Sequence, residues 1–470
     1  MESRLPSNLL YFVSTLQNYS TNTVKLQTLN QTSLASNGSS QLRLALPVNA
    51  VVNLKSLSLH TTFSTTGVAP TGAAGADANG IYALIPKGGV SAVIDRLSFS
   101  AGGIALDSGF SNYNVVQALR ENIEKSADKY MSDDAVLQQA LLEPVDYNDT
   151  YTQANYGQQK QLIQNNFMGF LEAAPAYLDL NRVPEIFLTL QLANKAVIPI
   201  QAQSQPLGTS YFITNEGFNG NECNFAMDDI FFSIEVVSIG SGLYDSLTDR
   251  VLSERGNLDV PYPQYQTFST DMSQAGGSIR ASVSTMSLDR LWCVQRNAVN
   301  RYNKPGQTGD VNDANAPYQI YTQQQPPVPA EDNTTFAFTN ANLNFISQGI
   351  SDWFYTINNS PVPLYKPGTV DAFNFAVCAD DRTYSKDRGG LVGSQLTWLN
   401  NCWCAPVKLC HDRDMRLVSG MNLMSINSQI NFTTTGDGSA RAGTARNVLL
   451  CTQQKSLLRI GPQRSIAVIA

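Results

Sequence analysis

The feature that most constrains the fold is a strict alternation of apolar and polar residues that recurs along the chain. It is clear in Ala226–Ile239, near the middle of the sequence. A period of two predicts a β-strand with one buried face. The positions predicted to face inward are Ile230, Phe232, Ile234 and Val236, and those predicted to face outward are Ser233 and Glu235.

Other runs carry the same alternation, so the chain is predicted to be rich in strands. His60 falls on the polar side of one run, with no acid or nucleophile beside it in sequence. We therefore interpret it as a solvated or interface histidine rather than a catalytic one. The inward positions of these runs are Leu42, Leu44 and Leu46; Leu57, Leu59 and Phe63; Ile186, Leu188, Leu190 and Leu192; and Met424, Ile426, Ile430 and Phe432.

The strands are predicted to form two similar halves, each of which ends on a β-rich run. The first half closes with Ala226–Ile239 and the second with Arg446–Ile469. An Arg-containing strand followed by a short break and a second strand opens each half, at Arg43 and at Arg280. About eight strands per half, separated by turn residues, are expected for a jelly roll.

A predicted hairpin also occurs once in each half. Ala92–Gly109 predicts two strands joined by the turn residues Gly102 and Gly103. In Ile350–Tyr365 the pair Asn358-Asn359 stands where the two glycines stood. Similar but unequal spacings are typical of duplicated folds with divergent loops.

One helical region is predicted, in the first half. Apolar residues recur at spacings of three and four from Asn112 onward, and Ser132-Asp133-Asp134 is placed to cap a second helix that runs through Leu142. An amphipathic helix packed on the strands explains this pattern. The recurring residues are Val116, Leu119, Ile123, Ala127 and Tyr130.

Three segments are predicted to lie outside the strands. Gly67–Gly89 and Arg301–Thr335 are long enough to be surface excursions, and Leu243–Tyr265, with Pro261 and Pro263, is predicted to connect the halves. The expected domains are an N-terminal arm over 1–22, a first jelly roll over 23–242 and a second over 243–470, which includes the connector.

The composition excludes several classes of protein. Of 470 residues, 43% are hydrophobic and 15% charged, which suits a large folded core. The net charge is −7 without a Lys/Arg block, so we expect no specific nucleic-acid binding. No apolar run reaches the roughly 18 residues of a membrane span. With no signal-peptide pattern and seven scattered cysteines, we expect a chain made inside a cell, not secreted, with reduced thiols.

The whole pattern resembles the double jelly-roll major capsid proteins of the PRD1 and adenovirus lineage, in particular those of virophages and Polinton-like viruses. The likeness is spread over nearly all of the chain. It is carried by RLALPVNAVVNLKSLSLHTTF, VIDRLSFSAGGIALDSG, MDDIFFSIEVVSI, SVSTMSLDRLW, ISDWFYTINNSPVP and SLLRIGPQRSIAVI.

This resemblance implies an all-β fold of two tandem eight-stranded jelly rolls, with a helical insertion in the first. It implies a viral structural protein, not an enzyme, located in the virion capsid after synthesis in the host cell. Three subunits would form a pseudo-hexagonal homotrimeric capsomer, and many capsomers would tile an icosahedral shell. The implied partners are neighbouring capsomers, penton proteins and other minor capsid proteins, with no cofactor.

A zinc site is the most specific alternative to a chain with a purely structural role. Cys402, Cys404, Cys410 and His411 supply enough thiol and imidazole ligands for one Zn²⁺. However, a Cys-x-Cys pair followed by adjacent Cys and His is awkward for a tetrahedron. We therefore expect free thiols here and no metal site.

Two patterns of acidic residues give weaker evidence for a functional site. Asp310, Asn312, Asp313 and Asn315 resemble a calcium loop, but the required glycine and the closing glutamate are missing. Asp228, Asp229 and Glu185 are the candidates for the paired carboxylates of a glycosidase. Adjacent acids at the start of a strand more often cap or solvate it, so we predict no catalytic residues.

A β-sandwich that binds carbohydrate, or a viral fibre-type attachment protein, is the second functional hypothesis. Such a protein is expected to show an exposed aromatic platform or a metal loop, and one half should work alone. A capsid protein should trimerise and use both halves.

Overall fold

The structure is a computed structural model. The described residues are 19–35, 41–66, 81–84, 89–107, 111–124, 159–193, 198–205, 208–212, 224–239, 248–254, 256–297, 319–322, 345, 347, 349–379, 403–410, 420–424, 428–439, 443 and 446–469.

Two antiparallel sheets are built from described residues of the first half alone. The larger has the order β1-β13-β4-β8, with β2 paired to β13 and β9 to β4; the smaller has the order β3-β10-β6-β7. The strands of the larger sheet are β1 (Tyr19–Gln27), β2 (Leu34–Ala35), β4 (Val51–Thr66), β8 (Gln159–Gln164), β9 (Tyr177–Asp179) and β13 (Asn224–Ile239). Those of the smaller are β3 (Gln41–Ala45), β6 (Ile94–Ala101), β7 (Ile104–Asp107) and β10 (Ile186–Leu192).

The second half contains a corresponding pair of sheets. Their orders are β14-β22-β16-β20, with β23 paired to β22, and β15-β21-β18-β19. The strands of the larger sheet are β14 (Leu258–Met272), β16 (Leu288–Asn297), β20 (Ala405–Lys408), β22 (Arg446–Ile460) and β23 (Ile466–Ile469). Those of the smaller are β15 (Gly277–Ser282), β18 (Ile350–Ile357), β19 (Ser360–Val362) and β21 (Gln429–Gly436).

The two pairs of sheets match strand for strand. β1, β13, β4 and β8 correspond to β14, β22, β16 and β20, and β3, β10, β6 and β7 correspond to β15, β21, β18 and β19. The predicted similarity between the halves is therefore present in the hydrogen-bonded topology. It pairs the closing strands β13 and β22, as the sequence pattern indicated.

A further four-stranded sheet joins segments that the sequence pattern left as excursions. Its order is β17-β12-β11-β5, so strands from Gly67–Gly89 and Arg301–Thr335 lie in one sheet. Its members are β5 (Ile81–Leu84), β11 (Ile198–Gln205), β12 (Gly208–Phe212) and β17 (Gln319–Thr322). The described part of each of these two segments thus contains a strand, β5 or β17, which the Gly- and Pro-rich composition did not predict.

Helices are few in the described residues. The predicted helix is α2, which packs Tyr113, Val116 and Leu119 into the core, while its predicted continuation through Tyr130 and the second helix to Leu142 lie outside the described residues. A helix after the β18–β19 hairpin, α4, was not predicted. The helices are α1 (Val90–Val93), α2 (Tyr113–Glu124), α3 (248–254) and α4 (Asp371–Ala379), with the 3₁₀ turns η1 (Gly169–Glu172) and η2 (Pro462–Arg464). Among the described residues, no helix has the length and apolarity required to cross a membrane.

The inner faces of the sheets form one apolar core that runs through both halves. The predicted inward residues of β3, β4 and β10 are buried, as are Ile430 and Phe432 of β21. Met424 is exposed and precedes β21, so the prediction that this strand begins near Met424 was wrong. Ile426 lies outside the described residues.

The alternation in β13 breaks after Ile234. The pairing of β13 with β4 shifts register between Ser233 and Glu235, a β-bulge that turns the next residues over. As a result Val237 is buried and Val236 only half-buried, the reverse of the prediction.

Both predicted hairpin turns are present. Gly102 and Gly103 have φ of 55° and 85°, and Asn358 and Asn359 have φ of 48° and 66°. Two consecutive positive φ angles define a type I′ turn, which glycine and asparagine tolerate best. The equivalence of the Gly-Gly and Asn-Asn pairs thus has a direct conformational cause.

Two expected boundaries need adjustment. β1 starts at Tyr19, so residues 19–22 of the expected arm lie in the first sheet. The expected connector ends earlier than Tyr265, because Pro261 and Pro263 lie within β14. β14 is an edge strand, where a missing backbone N–H can face away from the neighbouring strand.

Candidate functional site: the junction between the two halves

The two halves meet along β14, and we call this contact the junction. Residues 260–265 of β14 are buried, although the strand lies at the edge of its sheet. The ring of Phe170 in η1 lies between Phe99 of β6 and Tyr262 of β14, with centroid distances of 5.8 and 5.2 Å. This aromatic series joins the core of the first half to that of the second.

Backbone groups also bind across the junction. The Ala174 N–H donates to the Pro261 carbonyl at 3.0 Å, and the Tyr262 hydroxyl donates to the Leu106 carbonyl at 2.6 Å. The Thr267 hydroxyl donates to the Ser111 carbonyl at 2.7 Å. Because prolines carry no N–H, the edge of β14 presents acceptors there without leaving buried donors unpaired.

An ion pair supports the junction at its border. Arg120 Nη1 of α2 lies 2.6 Å from Glu172 Oε1 of η1 and 3.2 Å from the Tyr265 hydroxyl. The Tyr265 hydroxyl donates to Glu172 Oε2 at 3.1 Å, and its ring stacks with Trp292 at 6.3 Å. The three polar groups therefore satisfy one another while they hold β14 against η1.

Asp107, the last residue of β7, is a buried carboxyl in the junction. Only 1% of the residue is exposed, and neither carboxyl oxygen has a hydrogen-bond partner among the residues that the structure describes. A Cβ on Gly169 would lie 2.3 Å from Asp107 Oδ2, so glycine is required for this close approach. Burial, and then the charge of Glu172, raise the pKa of Asp107 to about 8. The carboxyl is therefore mostly protonated at neutral pH.

A second buried polar centre lies inside the second half. Lys455 Nζ is 3.8 Å from Asp289 Oδ2, and both side chains are almost fully buried. The Ser287 hydroxyl donates to Asp289 Oδ1 at 2.7 Å and accepts from the Gly420 N–H at 3.0 Å. Burial raises the pKa of Asp289, opposed by the Ser287 hydrogen bond and by Lys455. This centre holds Gly420 beside Ser287, just before β16.

The candidate zinc ligands are not brought together in the described part of the chain. Cys404 is buried and Cys410 half-buried, whereas Cys402 and His411 lie outside the described residues. Cys404 shares the core with Cys293 and Cys451, and burial raises the pKa of the last two thiols. Among the described residues, no three His, Cys, Asp or Glu side chains are placed to hold a metal ion.

The candidate acidic residues also take structural positions. Asp228 Oδ1 accepts from the Ser33 hydroxyl at 2.8 Å, and its backbone carbonyl accepts from Thr61. Asp229 has φ of 53°, at a register shift in the pairing of β13 with β4. Glu185 is exposed just before β10. The calcium-like residues 310–315 lie outside the described residues.

His60 lies on the outer face of the larger sheet of the first half, as predicted. Its Nε2 lies 2.9 Å from the Ser233 hydroxyl, and its ring stacks on Phe231 with centroids 4.6 Å apart. Burial, and then Lys25, lower the pKa of His60, so the ring is neutral at pH 7. A packed surface histidine fits this setting.

None of the junction residues was predicted from the sequence. Arg120, Glu172 and Tyr265 are far apart along the chain, and none belongs to a local motif. The only local signal was Pro261 and Pro263, which indicated an interruption but in fact mark an edge strand.

No protein-family model and no curated protein sequence matches the chain. Several solved structures do match the chain. PBCV-1 VP54, from a crystal structure fitted into a cryo-EM reconstruction of the virophage Sputnik, is 12% identical over 97% of both chains, with a TM-score of 0.57. The Faustovirus major capsid protein is 10% identical over 98% of this chain and 92% of that chain, also at 0.57. A chain of the PBCV-1 virus capsid is 13% identical over 96% and 97%, at 0.55. The fold is therefore the double jelly roll of these proteins.

Proposed function

We propose that the chain is a major capsid protein. In this proposal three copies form a pseudo-hexagonal capsomer, and many capsomers tile the icosahedral shell of a virion. The observation that carries the proposal is the junction, which joins two matching jelly rolls into one unit through aromatic packing and hydrogen bonds. The fold shared with viral capsid proteins supports it.

The geometry of the junction favours assembly rather than chemistry. The first half contributes η1 and α2, while the second contributes the edge strand β14, so the two contacting surfaces differ. A contact between unlike surfaces can be repeated between copies, because each copy then offers one surface of each kind. Such a head-to-tail contact forms a closed ring when the rotation per step divides a full turn.

The buried titratable groups are used for structure. The Asp107 carboxyl has no hydrogen-bond partner among the described residues, and Asp289 and Lys455 are almost fully buried and paired with each other. We therefore propose a structural role without a catalytic site or cofactor. Penton and other minor capsid proteins are the proposed additional partners, and the proposed location is the virion capsid after synthesis in the host cell.

The mass of the purified protein in solution tests this proposal. A capsomer of three 51.2 kDa chains with a hexagonal outline in negative-stain images is expected. Light scattering gives the mass and imaging the outline. A stable monomer that binds glycans would contradict the capsid role and support the carbohydrate-binding alternative.

A further inference from the structure

The two corresponding edge strands differ sharply in exposure. β14 and β1 occupy the same position in their sheets. Residues 260–265 of β14 are covered by the first half, whereas residues 20–23, Lys25 and Gln27 of β1 are exposed. Within the described residues, one of the two equivalent edges is therefore covered and the other is open.

One of the segments that contact β14 has a counterpart in the second half. Ser111, between β7 and α2, forms an isolated bridge to Arg96 of β6, and it is Ser111 that bonds to Thr267 of β14. In the second half Gly368, between β19 and α4, forms the same kind of bridge to Asp352 of β18. The segment around Gly368 therefore corresponds to the segment around Ser111.

The counterpart segment exposes apolar side chains. Leu364 is 87% exposed, Tyr365 58% and Val370 49%. Large apolar side chains clustered on a surface mark contact sites. The segment is held in place, since Lys366 Nζ lies 5.2 Å from the Phe354 ring centroid and Tyr365 lies against Phe375 at 6.4 Å.

The open edge lies beside an outer surface suited to such a contact. Phe231 of β13 stacks on His60 of β4, and Lys25 Nζ of β1 lies 4.1 Å from the Phe231 ring centroid. Ile163 of β8 pairs with His60 and is half exposed. At the junction, a comparable aromatic pair, Tyr265 and Trp292, is covered by Arg120 from the other half.

We propose that Leu364–Val370 of one copy docks on β1 and the adjoining Phe231 surface of a second copy. The contact between copies then repeats the contact within the chain, with the second half in the role that the first half plays at the junction. Each copy offers one docking segment and one open edge, so the contact is head-to-tail. This assignment rests on the proposed capsomer and specifies which surfaces build it.

Paired surface variants test the assignment. In the double variant Leu364→Asp/Tyr365→Asp, the contact loses two apolar side chains and buries two carboxylates, of which the single Lys25 ammonium can pair with only one. The assembly is therefore expected to fall from three chain masses to one. Met424→Asp is the matched control, because Met424 is 57% exposed but lies elsewhere in the second half, and it should leave the mass unchanged. Light scattering gives the mass, and circular dichroism shows that each variant is folded.

A photocrosslinking amino acid at position 364 locates the partner surface directly. With isotopically mixed chains, crosslinks between copies are expected in Tyr19–Gln27 or Asn224–Ile239. A trimeric wild type whose mass survives the double variant, or whose crosslinks lie elsewhere, overturns the docking assignment alone. A monomeric wild type overturns both this assignment and the proposed capsomer.

Discussion

Replacing Asp107 with asparagine should remove a specific pH dependence from the stability of the protein. The pKa of this carboxyl is about 8 in the folded chain and near 3.8 in the unfolded chain. When folding raises the pKa of a group, that group makes its full contribution to the stability of the folded state below its unfolded pKa. The contribution decreases as the pH rises, and it is lost once the pH has passed through the folded pKa. The affected window is therefore about pH 4 to pH 8.

The size of the effect follows from proton linkage. Within this window the folded state holds about one more proton than the unfolded state, so the free energy of unfolding falls by about 1.4 kcal/mol per pH unit. From pH 4 to pH 7 the loss attributable to Asp107 is about 4 kcal/mol. In Asp107→Asn this slope is absent, so the free energy of unfolding of the variant should increase relative to that of the wild type as the pH rises.

Urea unfolding at pH 5, 6, 7 and 8, followed by tryptophan fluorescence, measures the difference. Trp292 stacks on Tyr265 at the junction and reports on its opening. Thr267→Val is the control, since it removes a junction hydrogen bond without removing a titrating group. Its difference from the wild type should stay constant over this range. A difference between Asp107→Asn and the wild type that does not change with pH would refute the assigned protonation state.

Three further substitutions test the buried polar groups by urea unfolding. Tyr262→Phe leaves the Leu106 carbonyl without its donor and should cost about 1–3 kcal/mol, and an unchanged midpoint would contradict the hydrogen bond. Lys455→Met leaves Asp289 buried without its cation and should cost about 3–5 kcal/mol, more at pH 8 than at pH 5. Gly420→Ala would place a Cβ 2.5 Å from the Leu288 carbonyl and should cost about 1–3 kcal/mol, whereas a neutral result would show that residue 420 can move away.

Local patterns predicted the strands because each reflects a contact with the immediate surroundings. The leucines at 42, 44 and 46 are buried on one face, as the period of two requires. The Gly102-Gly103 and Asn358-Asn359 turns were predictable because few other residues accept consecutive positive φ angles.

The predictions that were wrong or missing also have specific physical causes. Val236 was misplaced because a bulge in β13 depends on its pairing with β4, and nothing within β13 itself encodes that shift. Helix α4 was missed because its sequence, DAFNFAVCA, is mostly apolar and shows no clear amphipathic period. The junction was missed because its residues are far apart in the sequence and are neighbours only in the folded chain.

The open edge of β1 bears on the proposed assembly. An exposed edge strand presents unpaired backbone groups and invites pairing with other chains, so monomeric proteins usually protect such edges with charges, prolines or bulges. β14 carries Pro261 and Pro263 and is covered by the first half, whereas the described part of β1 has only Lys25 as a charged residue and no proline. An edge this open is a liability in a monomer, whereas in the proposed capsomer the next copy would cover it.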